Sequence, residues 1–197
     1  MTKSWNQKEI KIIHCFGDSL TAGFGVLPGQ GWVELLDKRI QGISFYNHGA
    51  CGAGVRDIFD LMEGFTTRPG KAEGFFFMGG TNDILCGLRL DVLERIVETE
   101  VGNISEKVPL TLGIPILATE KSIYTGWQQE NFYEANQKDL IRYGEFLRKL
   151  AVGLVIPYID FEKGFPFDNA FYSDGIHPST KGYEKFAETA EEVWKPV

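Results

Sequence analysis

Some positions in this chain carry residue types and settings suited to acyl-transfer chemistry. Ser19, in Gly17-Asp18-Ser19-Leu20-Thr21-Ala22-Gly23, is a candidate nucleophile. A serine hydroxyl is weak until a base takes its proton. His177, in Asp174-Gly175-Ile176-His177-Pro178, follows an acid by three residues. Its imidazole can accept a proton as general base and return it as general acid. Through a local turn the Asp174 carboxylate can reach Nδ1, fix the tautomer and stabilise the imidazolium. Attack on an ester carbonyl develops an oxyanion, which needs pre-positioned donors. Three donors are at hand: the Ser19 N–H, the Gly52 N–H in the loop Asn47-His48-Gly49-Ala50-Cys51-Gly52, and the Asn82 amide in Gly79-Gly80-Thr81-Asn82-Asp83.

These residues need a scaffold that brings them together. Apolar runs at Ile10–Phe16, Ile43–Asn47, Phe75–Met78, Leu110–Ile114 and Val155–Asp160 read as strands. Helical stripes separate them: Trp32, Leu35, Leu36 and Ile40; then Val55, Ile58, Phe59 and Met62; then Leu90, Leu93, Val97, Val101 and Ile104. A long helix is marked by Phe132, Asn136, Leu140, Tyr143, Leu147 and Leu150. A last one is marked by Tyr183, Phe186, Ala190 and Val193, with Ser179 as its N-cap. Strands alternating with helices predict an α/β domain, a mostly parallel sheet covered on both faces. The polar clusters all follow predicted strands, and the carboxyl edge of such a sheet is where ligands bind. Residues 115–130 and 162–173 show no regular pattern, and irregular segments of that length are often functional.

Composition narrows the classes. The chain has 197 residues, 43% hydrophobic and 24% charged, as expected of one globular domain spanning 1–197. Its net charge of −7 argues against nucleic-acid partners and anionic membrane surfaces. No apolar run is long enough to span a membrane. Residues 1–9 are polar, with no secretory pattern, and the three cysteines are widely spaced. Both features predict a reducing, cytoplasmic location. No HExxH or clustered Cys/His spacing suggests a metal, and no Walker-type or dinucleotide fingerprint is present.

With these residues in view, the sequence resembles the GDSL-type lipase/esterase family, the SGNH hydrolases. Ser19, Gly52, Asn82 and His177 match the four letters of that name. The blocks Gly17-Asp18-Ser19-Leu20, Gly79-Gly80-Thr81-Asn82-Asp83 and Asp174-Gly175-Ile176-His177-Pro178 match the family pattern. In the second block Asn47 and Gly52 stand at the expected separation, and Gly49 and Gly54 offer competing N–H groups. The resemblance implies a three-layer α/β/α fold of flavodoxin-like type with about five strands. It also implies hydrolysis through an acyl-serine, with no metal or organic cofactor. The expected substrate is a small acyl ester, a short-chain carboxylester or acetylated carbohydrate. The alternatives are an acyl thioesterase or lysophospholipase, and, from another class, a non-catalytic acyl-sugar binding domain.

Other residues are expected to be structural. Asp18 can brace the nucleophile turn, and Asp83 can accept backbone N–H bonds. His14 is expected in the first strand and His48 in the loop after the second. Cys51 is expected to be small and buried. Tyr124, Trp127, Phe165, Phe167, Phe171 and Tyr172 either line an acyl pocket or sugar site, or pin the irregular segments to the domain.

Overall fold

The computed structural model describes residues 10–67 and 72–194. The polar stretch read at 1–9 lies outside the described residues. Along the chain run β1 (Ile12–Gly17), α1 (Ser19–Ala22), α2 (Trp32–Arg39), β2 (Ser44–Gly49), α3 (Val55–Thr66), β3 (Glu73–Met78), α4 (Thr81–Leu85), α5 (Leu90–Ser105), β4 (Leu110–Ile114), α6 (Lys121–Tyr124), α7 (Glu130–Leu154), β5 (Tyr158–Asp160), α8 (Phe161–Gly164) and α9 (Thr180–Trp194). The strands form a sheet ordered β2-β1-β3-β4-β5, every pair parallel. This is the flavodoxin-like order, with its switch point between β1 and β3. The connections leaving β1 and β3 pass to opposite faces of the sheet there. Ser19 and Asn82 lie just beyond these two strands.

The strand pleat sorts side chains into two cores. Phe75 and Phe77 join Phe16, Leu110, Leu112 and Ile114 against the buried faces of α3, α5 and α7. Phe76 and Met78 point the other way, joining Ile13, Cys15, Phe45 and Ile159 against α2 and α9. Helices thus cover both faces and make three layers. The α5 stripe buries all five predicted residues. The α9 N-terminus is held as expected, the Gly182 N–H donating to Ser179 Oγ at 3.3 Å.

Several boundaries differ from the sequence reading. The long helix runs on through Leu154, and Val155 caps it in the left-handed region at φ 55°. The fifth strand is therefore only Tyr158–Asp160, not Val155–Asp160. The apolar residues 150–156 continue both patterns, so periodicity alone cannot divide them. Phe132, one of the residues that marked the long helix, is exposed, and the buried face of α7 begins at Leu140. His48 belongs to β2 rather than to the loop after it, since parallel pairing with β1 continues through Phe16↔His48 and Gly17↔Gly49. The two irregular segments contain α6, α8 and a 3-10 turn at Asn169–Phe171. Among the described residues no helix is long and apolar enough to cross a membrane.

Candidate active site

The nucleophile turn is built locally. Asp18 caps α1, its Oδ1 accepting the Leu20 N–H at 2.9 Å. This short bond fixes Ser19 as the first residue of a four-residue helix directly after β1. Burial of Asp18 raises its carboxyl to about 6, against the opposing effects of the Leu20 N–H and of His177. Tyr183 of α9 clamps the same turn from behind: its hydroxyl lies 3.3 Å from Ser19 O and 3.2 Å from Phe24 O. In the sequence Tyr183 marked only the C-terminal helix. A buried tyrosine generally finds a partner for its hydroxyl, which was the available signal.

The second half comes from residues 172–178, just before α9. Asp174 Oδ1 accepts the backbone N–H groups of Ile176 (3.0 Å) and His177 (2.8 Å). Its Oδ2 lies 2.7 Å from His177 Nδ1. Burial opposes the Asp174 charge, but the His177 ring bond and the two backbone bonds outweigh it and bring the carboxyl down to about 2. With Nδ1–H donated to Asp174, the lone pair of His177 Nε2 faces Ser19 Oγ at 2.9 Å. Ser19 and His177 are both buried, 158 residues apart in sequence. The turn is tied to residues 115–130 through Thr119 N–H to Gly175 O (2.7 Å) and Thr125 Oγ1 to Asp174 O (2.6 Å). Gly175 must be glycine: a Cβ there would stand 2.2 Å from Ser122 N.

The glycine block follows β2. Gly49 packs so closely on α1 that a Cβ would meet Ala22 N at 2.2 Å. Its own N–H is taken by Asn47 Oδ1 at 2.9 Å. The Gly54 N–H is taken by Asp57 Oδ2 at 3.1 Å. Of the three competing glycines, Gly52 is the one whose N–H has no intramolecular partner among the described residues. It sits exposed at φ 80° in a turn closed by Ala53 N–H to Ala50 O. Asn82 Nδ2 donates to Ala53 O at 3.0 Å, which joins the Gly52 turn to the start of α4. An amide nitrogen carries two hydrogens, so one remains. Asn47 braces the block, its Nδ2 donating to Thr21 O (3.1 Å) and Glu34 Oε1 (3.0 Å). Asp83 Oδ2 accepts the Val55 N–H at 3.0 Å.

The remaining expectations divide. Cys51 is exposed, not buried, because it rides the outer side of the same turn as Gly52. Phe165 and Tyr172 are buried and pin their segment, whereas Tyr124, Trp127 and Phe167 are exposed. Trp127 and Phe24 flank His177, and Phe24 was not singled out from sequence. Its position in a polar, glycine-rich stretch gave no periodic signal. Among the described residues no group of three or more His, Cys, Asp or Glu side chains is placed to hold a metal.

A serine, a histidine and an aspartate in hydrogen-bonded series at the carboxyl edge of a parallel α/β sheet is the arrangement of a class that carries out acyl transfer through an activated serine. Within that class, this chain belongs to the GDSL-like lipase/acylhydrolase family, whose sequence pattern matches residues 15–185. It is similar to a solved member of the lipolytic G-D-S-L family from Veillonella parvula, at 25% identity over 95% of this chain and 100% of that one, with a TM-score of 0.83. An acetylxylan esterase from Geobacillus stearothermophilus shares the fold at 20% identity, TM-score 0.72, covering 95% of this chain and 97% of that one. Uncharacterized protein YpmR of Bacillus subtilis is 30% identical over 99 residues, 46% of this chain and 39% of the relative. The match thus spans well under half of that relative's length.

Proposed function

We propose that the protein hydrolyses small acyl esters through an acyl-Ser19 intermediate. The observation that carries this reading is the continuous series Asp174 Oδ2–His177 Nδ1 at 2.7 Å and His177 Nε2–Ser19 Oγ at 2.9 Å. His177 takes the Ser19 proton as Oγ attacks the acyl carbon. Asp174, ionised over the whole working range, holds the tautomer and offsets the imidazolium charge. The Ser19 N–H, the Gly52 N–H and the second Asn82 hydrogen hold the oxyanion. Collapse breaks the ester C–O bond, and His177 gives its proton to the departing alcohol. Water then enters, loses a proton to His177 and cleaves the acyl-serine, restoring the Ser19 hydroxyl.

The acyl half is a short chain, with an acetylated carbohydrate as the favoured substrate class. The fold shared with an acetylxylan esterase is compatible with that choice. The test is kcat/KM against p-nitrophenyl esters from acetate to palmitate, with Ser19→Ala as the blank. A Ser19-dependent rate greatest for acetate or butyrate is expected. A rate that climbs toward long chains would replace this reading with a thioesterase or lysophospholipase. No rate above the blank would favour a binding domain.

A further inference from the structure

Two aromatic rings border the His177 imidazole. The Phe24 ring lies 4.4 Å from it, centroid to centroid, tilted by 44°. The Trp127 ring lies 4.9 Å away at 70°. They meet each other edge to face, 5.9 Å apart at 90°. His177 is 3% exposed, while Phe24 and Trp127 keep 38% and 44% of their surface in water. Each ring therefore covers the imidazole with one part and presents the rest outward.

Both rings stand on braced backbone and pack on His177 and on each other. The Phe24 backbone is fixed by its N–H to Ser19 O (3.1 Å) and by the Tyr183 hydroxyl on its carbonyl. The Trp127 N–H donates to Ser122 O at 3.0 Å. Behind it runs a chain of side-chain bonds: Asn136 Nδ2 to Gln128 Oε1 (2.9 Å), Gln128 Nε2 to Ser122 Oγ (2.6 Å), and Ser122 Oγ to Thr119 O (2.6 Å). Ser122 and Gln128 are buried. Exposed aromatic surface on braced backbone beside a reacting centre suits a ligand, since less ordering opposes binding.

The chemistry says which half of the ester lies there. His177 Nε2 returns its proton to the departing oxygen, so that oxygen sits against Nε2. The rest of the alcohol must leave past the rim of the imidazole, where Phe24 and Trp127 stand. Two of the three oxyanion donors, the Gly52 N–H and the Asn82 amide, come from other elements, the turns after β2 and β3. We propose that Phe24 and Trp127 form the platform for the alcohol half of the substrate, and that this alcohol is a sugar ring. Half-exposed rings leave the far side of their ligand in water. A pyranose suits that setting, because its C–H face packs on the rings while its hydroxyls stay hydrated. A wholly apolar aryl alcohol would keep one face unprotected.

This proposal rests on the ester-hydrolase reading, and the experiment separates the two. Ethyl acetate, phenyl acetate and a mono-O-acetylated methyl β-D-glucopyranoside share one acyl group and differ in the alcohol. Trp127→Ala should lower the ratio of kcat/KM, glycoside over ethyl ester, about tenfold, equivalent to about 1.4 kcal/mol, chiefly through KM. Phe24→Ala should act in the same direction, and Trp127→Phe should restore most of the loss. An unchanged ratio in Trp127→Ala overturns the proposal, as does a loss confined to phenyl acetate. A second readout needs no turnover: titration of intrinsic fluorescence with methyl β-D-glucopyranoside, with Trp127→Phe as reference. If the wild type cleaves none of the three acetates yet shows a saturable change absent from the reference, the platform stands and the hydrolase reading falls. If it cleaves the esters and the ratio holds constant, the platform falls and the hydrolase reading stands. If it neither cleaves nor responds, both fall.

Discussion

Two histidine clusters sit on this sheet, and they show how the partner decides what an imidazole can do. At the carboxyl edge His177 faces a carboxylate at 2.7 Å on one nitrogen and a serine hydroxyl at 2.9 Å on the other. Within the sheet His14 Nδ1 faces His48 Nε2 at 2.8 Å, and its nearest carboxylate oxygen, on Glu73, is 3.9 Å away. Rings of Phe16, Tyr46, Phe65 and Phe75 surround His14. Burial lowers the pKa of His14, partly offset by Glu73, and lowers that of His48, with the His14 charge adding to the effect. Two imidazoles sharing one proton in an aromatic setting make a neutral packing unit. An imidazole between an ionised carboxylate and a hydroxyl is arranged to accept that hydroxyl's proton as a general base. The Asp174 carboxyl, held at about 2, is the difference.

His177→Ala should reduce kcat for an acetate ester by about 10⁴–10⁶. His48→Gln, outside the Ser19–His177–Asp174 series, should stay within about threefold, measured with the same substrate. A large loss in His48→Gln would make the inner pair part of the reaction. Next, Asp174→Asn keeps the shape but removes the charge that fixes the tautomer, and should cost up to about 10⁴ in kcat. A loss under tenfold would mean that His177 is oriented by the backbone alone. Asn82→Ala should lower kcat by about 10²–10³ if its free hydrogen meets the oxyanion. A near-normal rate would confine Asn82 to bracing Ala53.

The smallest effect concerns stability. The folded pKa values of His14 and His48 are depressed. Their contribution is therefore present above the unfolded value of about 6.5 and is lost as pH falls through the folded values. Thermal melting of the wild type should drop between pH 7.5 and pH 5, and His48→Gln should shrink that drop. Each 1 kcal/mol corresponds to about 2–4 °C in a chain of this size. An equal drop in both proteins would show that the inner pair does not titrate with unfolding.

Much of the architecture was legible in the sequence because burial on both faces leaves continuous apolar runs, as in Phe75-Phe76-Phe77-Met78. Leu110–Ile114 matches β4 at both ends. Boundaries failed where two elements share one apolar stretch, as at Leu154 and Val155. They also failed where pairing rather than composition sets the end, as at His48. The Asp174–His177 pair was legible because three residues of spacing let a carboxylate reach a ring. Gly52 was singled out by its separation from Asn47, but what sets it apart from Gly49 and Gly54, the N–H groups already taken by Asn47 and Asp57, was not legible. Phe24 and the Tyr183 hydroxyl were also hidden. Their roles exist only once the turn after β1 meets α9 and residues 115–130, and no local pattern encodes a contact across 159 residues.

The central claim is that His177 and Asp174 activate Ser19 among all the hydroxyls of the chain. The most direct measurement is covalent labelling by a fluorophosphonate probe, read by intact mass and peptide mapping. The account predicts a single adduct on Ser19 in the wild type, strongly suppressed in His177→Ala. No adduct, an adduct on another residue, or equal labelling in His177→Ala would contradict it.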